Sequence, residues 1–173
     1  MTTRPILVLA VLALLVSVPL AAAGPDAPGK ATPLDAMKKL VGAWETGDAD
    51  KDGKADHAVV YRLTAAGSAV EETLFPGTDH EMVTMYTMDG DDLVLTHYCA
   101  MGNQPHMKAK PAGADGRLDF EYVSGGNMKS RDEMHMDSLT MTFPDADHLG
   151  HEWRMWAGGK VVKNVILAFA RKK

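Results

Sequence analysis

From Gly42 to the C-terminus apolar residues recur at every second position, and turn residues interrupt the chain every eight to twelve positions. Side chains alternate across a strand, so this pattern marks strands with one buried face. It predicts ten of them, over residues 43–47, 57–64, 68–75, 81–88, 92–100, 106–110, 117–124, 134–143, 149–157 and 160–170. The separators include Asp89-Gly90-Asp91, Ala114-Asp115-Gly116, Pro144-Asp145-Ala146-Asp147 and Gly158-Gly159, residue types that tolerate the positive φ of hairpin turns. No segment after Gly42 has the period of a crossover helix, so the strands follow one another antiparallel. Ten such strands hide their edges by closing or by splitting into a sandwich. The expectation is an all-β fold, a single antiparallel up-and-down β-barrel of about ten strands preceded by one short helix. For that helix Thr32 serves as N-cap and Pro33 as first residue, Leu34, Met37, Lys38 and Val41 recur at helical spacing, and Gly42 ends it.

The alternation also assigns faces. Val59/Tyr61/Leu63, Leu93/Leu95/His97/Cys99, Leu118/Phe120/Tyr122, His151/Trp153/Met155 and Val165/Leu167/Phe169/Arg171 form the inward sets, opposed by Arg62, Asp119, Glu121, Glu152, Arg154 and Asn164. The strands at 81–88 and 134–143 are mixed on both faces. One-face burial fits a small barrel whose interior is filled by side chains or holds one small ligand.

The first 23 of the 173 residues stand apart. Arg4 gives a basic start, Ile6 to Leu20 is an apolar run broken only by Ser17 and Pro19, and Ala21-Ala22-Ala23 supplies the small residues a signal peptidase reads. Residues 1–23 are expected to be a secretory signal peptide cleaved before Gly24, with a retained anchor as the competing reading. Residues 24–33, with three prolines and two glycines, read as a disordered linker, and residues 34–173 as the barrel domain. Export would place the protein in the periplasm or outside the cell, meeting the membrane only through the leader. The 150 residues after the leader carry 17 basic and 23 acidic side chains, a net charge of −6. With no basic run longer than two residues this argues against a nucleic-acid partner. Cys99 is the single cysteine, so no intramolecular disulfide forms despite an oxidising destination.

Leu40-Val41-Gly42-Ala43-Trp44-Glu45, a short helix followed by Gly-x-Trp at the first strand, resembles the opening of lipocalins and their calycin relatives. The resemblance implies that Trp44 closes one barrel end against a basic residue of the last strand, a part Arg171 is placed to play. The strand count is nearer to the ten-stranded fatty-acid-binding and nitrobindin-like members. More narrowly, Phe75-Pro76-Gly77-Thr78-Asp79-His80-Glu81-Met82-Val83-Thr84, Leu95-Thr96-His97-Tyr98-Cys99 and Gly102-Asn103-Gln104-Pro105 resemble a group of uncharacterised exported bacterial proteins with a lipocalin-like domain. That resemblance spans roughly residues 34 to 171. The chain departs from nitrobindins in having Thr46-Gly47-Asp48-Ala49-Asp50 where a glycine-rich extension would follow the Trp, and no His in the last strand, where their haem ligand would stand.

Several constellations could carry chemistry. His97 and Cys99 share a strand face, and His151 can point into the same interior, a set suited to copper or zinc, with methionines as further copper ligands. The competing reading is that methionines fill the core and line an adaptable pocket. A neighbouring imidazole can activate a thiol, but same-face strand neighbours stand about 7 Å apart. Asp48, Asp50, Asp52 and Asp56 surround Gly53 with calcium-loop spacing, yet position 12 of the loop is Val59, and a solvated hairpin is the simpler reading. Asn103 and Gln104 follow the His97 strand at what would be a barrel mouth, and His80 stands at another strand entrance.

The chain therefore reads as a secreted or periplasmic, monomeric, non-enzymatic binding protein that needs no cofactor and holds a small, mostly hydrophobic molecule inside the barrel. Tyr61, His97, Cys99, Asn103, Gln104, Phe120, Tyr122 and Trp153 are the expected ligand contacts. One alternative is a metal or haem site using His97, Cys99 and His151. Another is a small hydrolase or isomerase using His97 with a buried carboxylate such as Glu72.

Overall fold

In a computed structural model, which describes residues 31–46, 58–111 and 116–173, the alternating segments form one closed antiparallel sheet. A short helix α1 (Leu34–Lys38) leads into β1 (Gly42–Thr46), β2 (Ala58–Thr64), β3 (Ala69–Leu74), β4 (Met82–Asp89) and β5 (Asp92–Tyr98). Then follow β6 (Gln104–Ala109), β7 (Leu118–Gly126), β8 (His135–Asp145), β9 (His148–Ala157) and β10 (Lys160–Arg171). Each strand pairs with its sequence neighbours, and β1 closes the sheet by pairing with both β2 and β10, opposite Val59 and Arg171 at Trp44. The up-and-down barrel of ten strands with one short helix before it is what the period-two pattern requires. Residues 1–23, expected to be a signal peptide, residues 24–30, and the expected calcium-spaced carboxylates Asp48, Asp50, Asp52 and Asp56 lie outside the described residues.

The helix is held by Asp35. Its carboxylate accepts from the backbone N–H of Thr32 at 2.7 Å and from the Thr32 hydroxyl at 3.2 Å. The expected cap thus runs in reverse, with Thr32 donating, because Asp35 three residues on is the stronger acceptor. Leu34, Met37 and Leu40 drop from the helix segment into the barrel core and plug that end. Gly42 then turns the chain into β1 with φ +131°, and a Cβ there would come within 3.3 Å of Nη1 of Arg171.

The barrel's middle is filled by Tyr61, Tyr86, Phe120, Met107, Leu139 and Met141, each no more than 1 % exposed. The inward sets hold except at Leu63 and at Tyr122, which leaves the core where β7 parts from β8. Leu63 is 48 % exposed although it pairs with buried Val70. β1 begins at Gly42, opposite Tyr61, so Leu63 has no strand neighbour on that side. The mixed pattern of residues 134–143 has a structural cause: β8 bulges between Met136 and Ser138, so His135 and Met136 are consecutive buried residues before alternation resumes at Leu139 and Met141.

β7 and β8 pair only from Leu118 to Glu121, and β7 then leans away. Arg131 enters the gap, its guanidinium 4.1 Å from the Tyr122 ring centroid and 4.5 Å from that of Trp156, while it bonds to His135 and Asp137. The end of the barrel away from the helix is consequently shaped by side chains as well as by strands.

Candidate functional site

One rung of the sheet carries the polar interior. Across β2 to β5 the register aligns Tyr61 with Glu72, Glu72 with Thr84, and Thr84 with His97. Glu72 is wholly buried, and its Oε2 accepts hydrogen bonds from the hydroxyls of Tyr61 and Tyr86, both at 2.7 Å. The Thr84 hydroxyl donates to Oε1 at 3.4 Å and stands 2.9 Å from Nδ1 of His97. On the other side Tyr61 meets Nε2 of His151 at 2.9 Å.

Burial pushes the Glu72 carboxyl up to about 7, against the opposing pull of its three hydroxyl donors. Burial likewise pushes His97 down to about 4 and His151 to about 3, so both imidazoles are neutral at neutral pH. A neutral imidazole has one N–H and one lone pair. With Glu72 ionised, the Tyr61 proton points to the carboxylate, so His151 donates from Nε2. Thr84 does the same, so His97 donates from Nδ1. The remaining nitrogens, Nε2 of His97 and Nδ1 of His151, are left as acceptors, and neither has a hydrogen-bond partner among the described residues.

His97 lines a cavity of about 270 Å³ at the barrel end away from the helix. Leu74, Met82, Cys99, Met136, Trp153 and Leu167 complete most of its wall, with His80, Met101 and Lys163 at the rim. The Trp153 ring lies 4.7 Å from that of His97, and its buried Nε1–H also has no partner among the described residues. Cys99 sits 3.9 Å from the sulfur of Met82, and burial raises its thiol pKa. The wall is thus apolar and sulfur-rich, and two of its residues with neighbouring rings, His97 and Trp153, carry an unpartnered acceptor and an unpartnered donor. Such a cavity is suited to a small apolar guest oriented by very few polar contacts.

Three of the eight residues expected to touch a ligand, His97, Cys99 and Trp153, line this cavity together. Tyr61 is spent on Glu72 and His151, and Phe120 packs edge-on against Tyr86 at 5.7 Å. Tyr122 lies in the splayed gap under Arg131. Asn103 donates to the Met134 carbonyl at 2.8 Å and ties the loop before β6 to the residue before β8, while Gln104 bonds locally to Gly102. His97, Cys99 and His151 do not converge, and no group of three or more His, Cys, Asp or Glu able to hold a metal occurs among the described residues. Leu74, Met82, Met136 and Leu167 belong to the wall without having been singled out. The register supplies the missing signal, since Leu74 pairs with Met82 next to the Glu72 rung.

At the helix end Arg171 lies 4.0 Å over the Trp44 ring and donates to the Val41 and Lys39 carbonyls at 3.1 and 3.0 Å. Trp44 in turn donates Nε1–H to the Leu40 carbonyl at 2.8 Å. This cluster locks the plug to the sheet and is remote from the cavity in the strand order. No protein-family model matches the chain, and no curated protein matches it in sequence.

Proposed function

We propose that the protein is an exported, monomeric, lipocalin-like binding protein that holds a small hydrophobic molecule in the cavity at the open end of its barrel. The observation that carries this reading is the cavity itself: an apolar wall placed over a filled core, with two wall residues, His97 and Trp153, that each hold a buried ring nitrogen without a partner among the described residues. The leader-like composition of residues 1–23 supports export. The ring of strands supports a monomer, because each of the ten described strands pairs with two neighbours over at least part of its length.

A specific observation favours a second reading, an acid–base enzyme, since Glu72, Thr84 and His97 are linked in line. The binding reading is preferred because His97, the member of that row that lines the cavity, is pushed down to about 4, and Glu72, at about 7, is not among the cavity's lining residues. The test is titration with naphthalene, followed by intrinsic Trp fluorescence because Trp153 lines the wall. Saturable quenching that is lost in Met82→Trp, which fills the mouth, is expected. Absence of quenching, or quenching unchanged in that variant, overturns the reading.

A further inference from the structure

The cavity wall offers hydrogen-bonding groups of opposite kinds and no buried cation. His97 presents a lone pair at Nε2, and Trp153 presents an N–H at Nε1, from rings whose centroids are 4.7 Å apart. With Glu72 ionised, as at pH 8, the role of His97 is imposed from behind, because the Thr84 oxygen accepts from Nδ1–H while its own hydroxyl proton points to Glu72. Each of these buried atoms is costly when unpaired and favourable when matched, so the pair selects what enters beside it. A purely hydrocarbon guest leaves both unmatched. An ether or ketone satisfies Trp153 alone. A carboxylate would bring a negative charge into the apolar wall, while the cations that could pair with it, Lys163 and His80, are held out at the exposed rim.

A hydroxyl matches both, since it donates one proton and accepts with its oxygen. Resting on the binding function proposed above, we infer that the guest is a neutral hydrophobic alcohol or phenol, its O–H donated to Nε2 of His97 and its oxygen accepting from Nε1–H of Trp153. The apolar remainder lies against Leu74, Met82, Met136 and Leu167. Cys99 lines the same wall as a protonated, weakly polar side chain and takes no part in orienting the head.

The experiment compares 2-naphthol, 2-methoxynaphthalene, naphthalene and 2-naphthoate as probes of nearly one shape, binding to the full-length protein being measured by calorimetry. For the native chain 2-naphthol is expected to bind about tenfold or more tighter than naphthalene. The methyl ether, which cannot donate to His97, falls between them or at the naphthalene level, and 2-naphthoate binds weakest. In His97→Phe and in Trp153→Phe the advantage of 2-naphthol over naphthalene shrinks, while naphthalene itself still binds. The second variant keeps the test sound if the first perturbs folding, because it leaves the Glu72, Thr84 and His97 row intact. Equal binding of 2-naphthol and naphthalene overturns the hydroxyl assignment and leaves the binding function standing. Tightest binding by 2-naphthoate overturns it in favour of an anionic guest held at the rim. Failure of all four probes to bind overturns both.

Discussion

The hydroxyl of Thr84 stands 2.9 Å from Nδ1 of His97, with its other neighbour the buried carboxylate of Glu72. A single hydroxyl proton cannot serve both, so the protonation of Glu72 decides which nitrogen of His97 carries hydrogen. Glu72→Gln tests this. Two tyrosine hydroxyls donate to the Oε2 position, which therefore takes the amide oxygen, and the NH₂ then faces Thr84. Thr84 is forced to donate to His97, whose proton moves to Nε2. Nitrogen-15 shifts of His97 at pH 8 are expected to report the Nδ1–H form in the native chain and the Nε2–H form in Glu72→Gln. The same tautomer in both would break the link between the carboxylate and the cavity.

The same carboxylate sets part of the pH dependence of stability. Folding raises the Glu72 pKa from an ordinary value of 4.5 to about 7, chiefly by desolvation, so the folded state prefers the protonated acid. Its favourable contribution is complete below about pH 4.5 and is lost as pH rises through 7, a change of about 3 kcal/mol at about 1.4 kcal/mol per pH unit. His97 and His151 act in the opposite sense. Burial lowers them from 6.5 to about 4 and about 3, so they favour the fold above pH 6.5 and withdraw that support as pH falls toward their folded values. Two histidines outweigh one glutamate, and net stability should decline under acid. Glu72→Gln removes the offset. Denaturant melts should find it more stable than the native chain at pH 8, with the difference vanishing near pH 4.5. A constant difference across that range would contradict the assignment.

Arg171 joins three pieces of the helix end: the Trp44 face, the carbonyls of Lys39 and Val41, and the Ala146 carbonyl at 3.3 Å. Arg171→Ala is expected to cost about 2–4 kcal/mol, from the lost cation–π contact and the lost charge-assisted bonds. Arg171→Lys should recover about half, since an ammonium cannot reproduce the planar fork over the indole. Neither should alter naphthalene affinity, because the cavity lies at the opposite end of the strands. Equal stability of the native and alanine proteins would show that the cluster contributes nothing.

Strand number, order and the inward faces were legible because alternation and Gly/Asp turns are local signals, and a meander leaves few ways to connect ten strands. The Trp44 and Arg171 pairing was legible through resemblance, the two residues being 127 positions apart in the chain. Burial of His97, Cys99 and Trp153 in one wall followed from their parity. What parity cannot show is depth. Tyr61 and His97 face the same interior, yet Tyr61 is enclosed by Glu72, Tyr86 and His151, while His97, three strands along the same rung, lines the cavity. Tyr122 has inward parity too, and the departure of β7 from β8 after Glu121 takes it out of the core. Such splaying depends on Arg131 and the bulge in β8, which no two-residue period encodes. The Met residues divide the same way: Met107 and Met141 fill the core, and Met82, Met136 and Met155 line the cavity.

Cys99 supplies a direct probe of the cavity's occupancy. It is 8 % exposed, lies beside Met82, and burial raises its pKa even though the backbone N–H groups of Ala100 and Met101 oppose the shift. Only the thiolate attacks an alkylating agent, so at pH 8 reaction with iodoacetamide should run about tenfold or more slower than for free glutathione. Saturating naphthalene should slow it further by covering the sulfur, and denaturant should restore the rate of an ordinary thiol. The Met82→Trp variant should protect Cys99 without any ligand, since its indole would take the space the guest fills. Rapid alkylation of the native protein that naphthalene leaves unchanged would place the thiol outside the binding wall and remove Cys99 from the site.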